Sequence, residues 1–354
     1  MYVDNLIVTG ARAEDIDSFK CEMLARFRIS DLGVLSYYLD IEVRKGKEAL
    51  MLGQSAYASK LLERSGMAEC KPCVTPMEER LKLTKASTAV KVDATLYRGS
   101  IGGLCYLVHM RPDNAFAVGY ISHFMEDPQE DHWTVVKRLL RYIKETVDQV
   151  IVFPKTSKSR LQLTVFSDTY MAGDIDGRRS TSSVLFFLGS APISWMSLKQ
   201  KVVALSTCKT EYVATATAAC QAVWLCQLLD ELIGVEAHSP ALMVDNQPAI
   251  ALAKNPVLHD RSKHIDAKFH FLRDCVDGGQ IIIEFVENGR QLVDVITKPL
   301  GRLRLTELKK MIGLERVLGF AAGLGEELLC NLLLPCVNAW QGRQRRKGLP
   351  VVAL

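Results

Sequence analysis

Apolar and polar positions follow a readable order in the second half of the chain. Residues 161–168 (LQLTVFSD) alternate and close on an acid, which predicts a strand. Residues 182–189 (SSVLFFLG) and 201–207 (KVVALST) predict two further strands, with Ala191-Pro-Ile-Ser-Trp195 between them. A long helical pattern then covers 210–233 and stops at Gly234. Residues 241–245 (ALMVD) predict a short buried strand ending in a second acid, and 247–254 a helix stopped by Pro256. A polar helix over 262–276, a strand over 280–286 and a helix over 290–297 complete the series. A three-strand meander feeding strand–helix units predicts a mixed sheet with helices on its faces.

The first half is less regular. Residues 35–43 alternate as one strand, with a turn at Lys45-Gly-Lys47. Residues 54–66 carry helical spacing up to Gly66, and the polar stretch 74–95 with Pro76 predicts a linker. From 97 to 147 the pattern is helical, broken at 110–113. Residues 133–147 (WTVVKRLLRYIKETV) form an amphipathic helix with Lys137, Arg138, Arg141 and Lys144 on one broad side. A solvated face is the plain reading of those four bases; a nucleic-acid contact is the functional one.

Composition narrows the classes. With 354 residues and 48% hydrophobic positions, the chain is long enough for two or three packed units. No basic segment followed by an apolar run opens it, so the expectation is an intracellular protein, cytoplasmic or nuclear, neither secreted nor membrane-bound. The ten cysteines include one CxxC, Cys70 to Cys73, and a lone pair of this kind points to reduced thiols before zinc. A net charge of +4 leans toward polyanions without deciding a partner.

The acids carry the chemistry. Asp168 ends one predicted strand, Asp245 another, Glu211 starts the long helix, and Asp294 lies one turn into the last. Strand ends and helix starts meet on one side of such a sheet. Acids at those places are often mere caps. Four converging there repel one another unless cations neutralise them, and an all-oxygen set suits Mg²⁺ or Mn²⁺, two ions flanking a phosphoryl displacement. His264 and Asp266 form a secondary candidate pair, although residues two apart on a helix point to different faces.

Ordered motifs from Tyr2 to about Leu314 carry a resemblance. They include YVDNLIVTG at 2, DLGVLSYYLDIEV at 31, QSAYASKLL at 54, VDATLYRGSIGGLCYL at 92 and RPDNAFAV at 111. FSDTYMAGDIDGRRSTSSVLFFLG at 166, PISWMSLKQKVVALSTCKTEYVA at 192, VDNQPAIALAKNPVLHDRSKHIDAKFHFLRD at 244 and QLVDVITKPL at 291 continue the series. Together they resemble the C-terminal part of a copia-type retrotransposon polyprotein. The resemblance implies an α/β (α+β) chain in four parts. Residues 1–75 would be a truncated reverse transcriptase palm end and thumb, and 76–155 a linker and helical connection. Residues 156–314 would form a ribonuclease-H-like mixed five-stranded sheet with flanking helices, and 315–354 an unrelated tail with a basic cluster.

By the same resemblance, Asp168, Glu211, Asp245 and Asp294 are the ribonuclease H carboxylates and ligands of two Mg²⁺ or Mn²⁺. Asp4 and Asn5 fall on the polymerase carboxylate pair, with Asn5 neutral where the family has aspartate. The expectation is an inactive polymerase and a nuclease for the RNA strand of an RNA–DNA hybrid. The alternative is a catalytically inert relic that at most binds nucleic acid. Asp40 replaces a family glycine, Tyr170 and Met171 replace Asp and Trp, and Cys208, Lys209 and Thr210 replace the usual residues before Glu211.

Overall fold

A computed structural model describes residues 6–10, 12–155, 161–233, 238–254, 266–317 and 320. Asp4, Asn5 and His264 lie outside these residues, as does most of 315–354. The fold is α+β, with one antiparallel and one mixed sheet of five strands each among the described residues.

Helix α1 (Ala13–Arg26) places Glu14 and Asp15 in its first turn and Arg26 in its last, complementing the helix dipole, and buries no residue. The single strand expected over 35–43 is a hairpin, β1 (Tyr37–Tyr38) and β2 (Ile41–Lys45). Alternation continues through the turn and hides it, but Leu39 and Asp40 both take positive φ, 47° and 56°, reversing the chain. Asp40 thus holds a left-handed position that a glycine would take without strain.

Strand β3 (Ala49–Gly53) pairs with β2, and helix α2 (Ser55–Arg64) closes on Gly66, whose φ of 65° ends the helix. Helix α3 (Ala94–Leu107) starts on Asp93, whose carboxylate accepts from the Thr95 N–H at 2.7 Å. Helices α4 (Ala115–Ile121) and α5 (Glu130–Glu145) follow, the latter held by a capping box between Gln129 and His132.

Strand β4 (Gln149–Pro154) has no counterpart in the sequence reading; its short apolar run follows the helix directly. It pairs with β3 on one side and, on the other, with β10 (Leu314–Arg316). Between β4 and β10 come β5 (Leu163–Tyr170), β6 (Thr181–Leu188), β7 (Ala191–Lys199), α6 (Thr207–Ile233) and β8 (Ala241–Val244). They are followed by α7 (Gln247–Lys254), α8 (Asp266–Asp277), β9 (Ile282–Phe285) and α9 (Arg302–Met311). The first sheet runs β1-β2-β3-β4-β10 and the second β7-β6-β5-β8-β9.

Two further elements differ from expectation. The third strand of the meander is APISWMSLK, not KVVALST. Trp195 is buried and donates its ring N–H to the Val108 carbonyl at 3.0 Å, whereas Val202, Val203 and Leu205 are exposed. The expected helix over 290–297 is two 3₁₀ turns, Asn288–Arg290 and Leu292–Ile296, separated by the extended backbone of Gln291. Residues 315 and 316 complete β10, and Phe320 is buried against Gly53, so the start of the expected tail belongs to the first sheet. Helix α6 is long and apolar enough to cross a membrane by length and composition; here Tyr212, Ala218, Ala222 and Leu225 bury it in the core.

Candidate metal centre

Strand pairing brings the first two acids level. β5 and β8 run parallel with Ser167 opposite Val244, so Asp168 and Asp245 follow on neighbouring strands at one height. Helix α6 crosses β5, and its first turns carry Glu211 onto the same spot. The Thr215 hydroxyl, 3.4 Å from the Ser167 hydroxyl, fixes that crossing. Oxygens of Asp168, Glu211 and Asp245 then lie within 4.8 Å of one another.

Thr169 organises the cluster. Its N–H donates to Asp168 Oδ1 at 2.7 Å and to Glu211 Oε1 at 3.2 Å, and its hydroxyl donates to Glu211 Oε1 at 2.6 Å. Asp168 Oδ2 and Glu211 Oε2 are buried without a hydrogen-bond partner. Burial, and then the charge of Asp245, push Asp168 up to about 7; burial, and then Asp168, push Glu211 up to about 9. Asp245 is raised by burial and Asp294, against the pull of Lys298 and a hydrogen bond from Gln291.

Asp294 stands to the side. It lies in the second 3₁₀ turn, which the Ser183 hydroxyl anchors to β6 through the Ile296 carbonyl at 3.0 Å. The Lys298 ammonium sits 2.6 Å from Asp294 and 4.0 Å from Asp168. Gln291, fully buried, donates its amide to the Ser167 carbonyl at 3.1 Å, tying this segment to the strand before Asp168. Thr169, Gln291 and Lys298 escaped the sequence reading, although Gln291 and Lys298 flank Asp294 within QLVDVITKPL. The Asp294–Lys298 spacing of four was a visible signal.

The altered neighbours settle elsewhere. Tyr170 packs edge-on against Phe116 at 5.8 Å, and Met171 is exposed. The basic residues of α5 are partly consumed: Lys137 pairs with Glu130 at 2.8 Å, and Arg138 binds Glu78 at 2.7 Å and the Thr75 hydroxyl at 2.9 Å. Arg141 and Lys144 are half-buried. Asp266 opens α8, with its side chain outside the described set. Cys70 and Cys73 are free thiols.

The donor set tests well against a hard cation. It is all oxygen, it carries excess negative charge, and two of its buried oxygens lack partners, a costly state that a divalent ion would relieve.

Comparison with known proteins identifies the chain's relatives. The family model for reverse transcriptase (RNA-dependent DNA polymerase) matches residues 1–79. The chain is 38% identical over 318 residues to the retrovirus-related Pol polyprotein from transposon RE2 of Arabidopsis thaliana, covering 90% of this chain and 22% of that protein. It is 34% identical over 323 residues to the corresponding polyprotein from transposon TNT 1-94 of Nicotiana tabacum, covering 89% and 24%. An uncharacterized mitochondrial protein of Arabidopsis thaliana is 34% identical over 224 residues, 63% of this chain and 92% of that protein. The chain thus spans about a quarter or less of the transposon polyproteins it matches. It belongs to the retrovirus-related Pol polyprotein family of copia-type transposons.

Proposed function

We propose that residues 156–314 are a metal-dependent ribonuclease H unit that hydrolyses the RNA strand of an RNA–DNA hybrid. The observation that carries this reading is the meeting of Asp168, Glu211 and Asp245 within 4.8 Å, with two buried oxygens unpartnered. Asp168, Glu211 and Asp245, with Asp294 at the side, would hold Mg²⁺ or Mn²⁺. When bound, such ions stabilise the charge that develops in an in-line phosphoryl displacement.

The chain's own residues supply position. Parallel pairing of β5 with β8 fixes the spacing of Asp168 and Asp245, Thr169 orients Glu211, and Gln291 holds the segment that carries Asp294. Ribose 2′-hydroxyls distinguish the RNA strand from DNA. The basic side of α5, through Lys144 and Arg141, is a candidate contact for the hybrid away from the acids. A second reading, an inert relic that binds nucleic acid, draws on the Lys298 ammonium, which already neutralises part of the Asp294 side.

Incubation of the full chain with labelled hybrid and Mn²⁺ tests the proposal. The expected result is cleavage of the RNA strand that Asp245→Asn abolishes. Mn²⁺ binding without cleavage would favour the relic, and absence of Mn²⁺ binding by calorimetry would overturn the metal centre itself.

A further inference from the structure

The acids of the candidate metal centre divide into two unequal parts. Oxygens of Asp168, Glu211 and Asp245 approach one another within 4.8 Å, and Asp294 is not a member of that group. Asp168 Oδ2 and Glu211 Oε2 are buried with no hydrogen-bond donor to cover them. Asp294, by contrast, has a base on each side. The Lys298 ammonium lies 2.6 Å from its Oδ1, as an ion pair without the angles of a hydrogen bond, and Arg304 stands 4.0 Å from its Oδ2. Arg304 is occupied elsewhere, donating to the Asn288 and Gly289 carbonyls and to Glu307. Lys298 is the base that answers Asp294.

The backbone holds this lysine in place. Thr297, fully buried, donates its hydroxyl to the Val293 carbonyl at 2.8 Å and its N–H to the Asp294 carbonyl at 3.2 Å. Pro299 fixes φ immediately after it. The ammonium also lies 4.0 Å from Asp168 Oδ2, so one positive charge reaches both carboxylates. Its side chain is 41% exposed, and the head can therefore leave for water on its own stem while the backbone stays put.

Charge and reach set the occupancy. A hard divalent ion sits about 2.1 Å from a carboxylate oxygen, so one bound to Asp294 would face the like charge of the ammonium at contact range. The group of three keeps two uncovered oxygens and faces that charge only at a distance. We propose that Lys298 is a built-in substitute for one of two cations. The free chain binds a single divalent ion on Asp168, Glu211 and Asp245, and Lys298 excludes a second from Asp294 until its ammonium withdraws. The inference rests on the metal-dependent reading above for its ligand.

The test counts ions without nucleic acid. The full chain is titrated with Mn²⁺ by calorimetry, and electron paramagnetic resonance reports whether two bound ions are exchange-coupled, as neighbours in one centre are. The parent should bind one ion tightly and show no coupled pair. Lys298→Met keeps the length of the side chain and removes its charge; it should take up a second ion at least about tenfold more tightly than the parent does, with the coupled signal. Lys298→Arg should behave as the parent. Lys91→Met, which removes a base paired with Asp127 on another part of the chain, should leave the count at one. Adding Asp294→Asn to Lys298→Met should return it to one, whereas Asp294→Asn in the parent should weaken the first ion by under about threefold. Thermal melting of each variant checks that it folds, and the Asp294→Asn result in the parent tests the division of the acids even where Lys298→Met fails to fold. Two ions of like affinity in the parent, an unchanged count in folded Lys298→Met, or loss of the first ion in Asp294→Asn would each overturn the proposal. If the parent binds two ions and cleaves hybrid, Lys298 is no substitute and the nuclease reading stands. If Lys298→Met gains the coupled pair while the parent never cleaves, the nuclease reading fails and the substitution stands.

Discussion

Two buried charged clusters in this molecule are built on opposite terms. Among the helices, Arg111 grips Asp113 with two hydrogen bonds of 2.9 and 2.8 Å, and its remaining donors reach the Thr146 carbonyl and hydroxyl. Tyr142 donates to Asp113 at 2.6 Å, and Lys309 of α9 donates to Tyr142 at 3.0 Å. Arg111 and Asp113 answer each other, and burial pushes the Lys309 ammonium down to about 8. At the ends of β5 and β8, three carboxylates meet, and among the described residues Lys298 alone stands close enough to offset them. The first cluster is complete within the chain and joins α9 to α5. The second is incomplete, and its missing charge is what a ligand would bring. A buried ionic group that lacks compensation is a better guide to function than one that has it.

The contrast predicts effects of opposite sign. Asp113→Asn leaves Arg111 buried without a counter-charge, and should cost about 3–5 kcal/mol in urea unfolding. A stop after Leu314 removes two residues of β10, the Arg316–Asp148 hydrogen bond of 3.0 Å and the buried Phe320. The expected cost is about 2 kcal/mol, visible in the same titration. That cost would show that the first sheet needs residues beyond 314; unchanged stability would restore the boundary expected there.

Glu211→Gln should do the reverse, stabilising the metal-free protein near pH 8 by about 1–2 kcal/mol, because an amide is neutral in both states and spares the protonation that burial forces on Glu211 during folding. Added Mn²⁺ at a hundredfold its dissociation constant should raise the parent's stability by about 2.7 kcal/mol and the variant's far less.

pH separates the two clusters further. Burial raises Asp113, but the charge and hydrogen bonds of Arg111 outweigh it and hold the carboxyl below its ordinary value, so this contribution is lost as pH falls. Asp168 and Glu211 are raised, to about 7 and about 9. The folded protein then holds protons that the unfolded chain releases above the ordinary carboxylate range. Metal-free stability should fall as pH climbs through those values, and the Glu211→Gln variant should lose much of that alkaline decline. The smallest change lies outside both clusters: Leu39→Gly should gain about 1 kcal/mol, since Leu39 is exposed with φ of 47°.

How much of this was legible depended on range. Asp168, Asp245 and Glu211 were readable because each sits where a regular pattern ends or begins, and regular patterns are local. Gln291 was not, because a neutral amide declares a role only through what stands across from it, and Lys298 left no trace but its spacing of four from Asp294. β4 and β10 are short, β4 a strand because β3 and β10 flank it and β10 because β4 does. KVVALST has strand-like alternation, but its neighbours offer no buried face for Val202 and Leu205. The meander took its third strand from APISWMSLK instead, where Trp195 finds a pocket and a carbonyl.

The pairing of Leu314 with Ile151 also dictates an order of assembly. During synthesis the outer edge of β4 emerges well before β10 exists to cover it, and the whole second sheet is made in the interval. That edge is open to a wrong partner for as long as the ribosome needs to translate the intervening residues. The second sheet is therefore an insertion into the first, and exchanging it for another domain would take two cuts, one after β4 and one before β10.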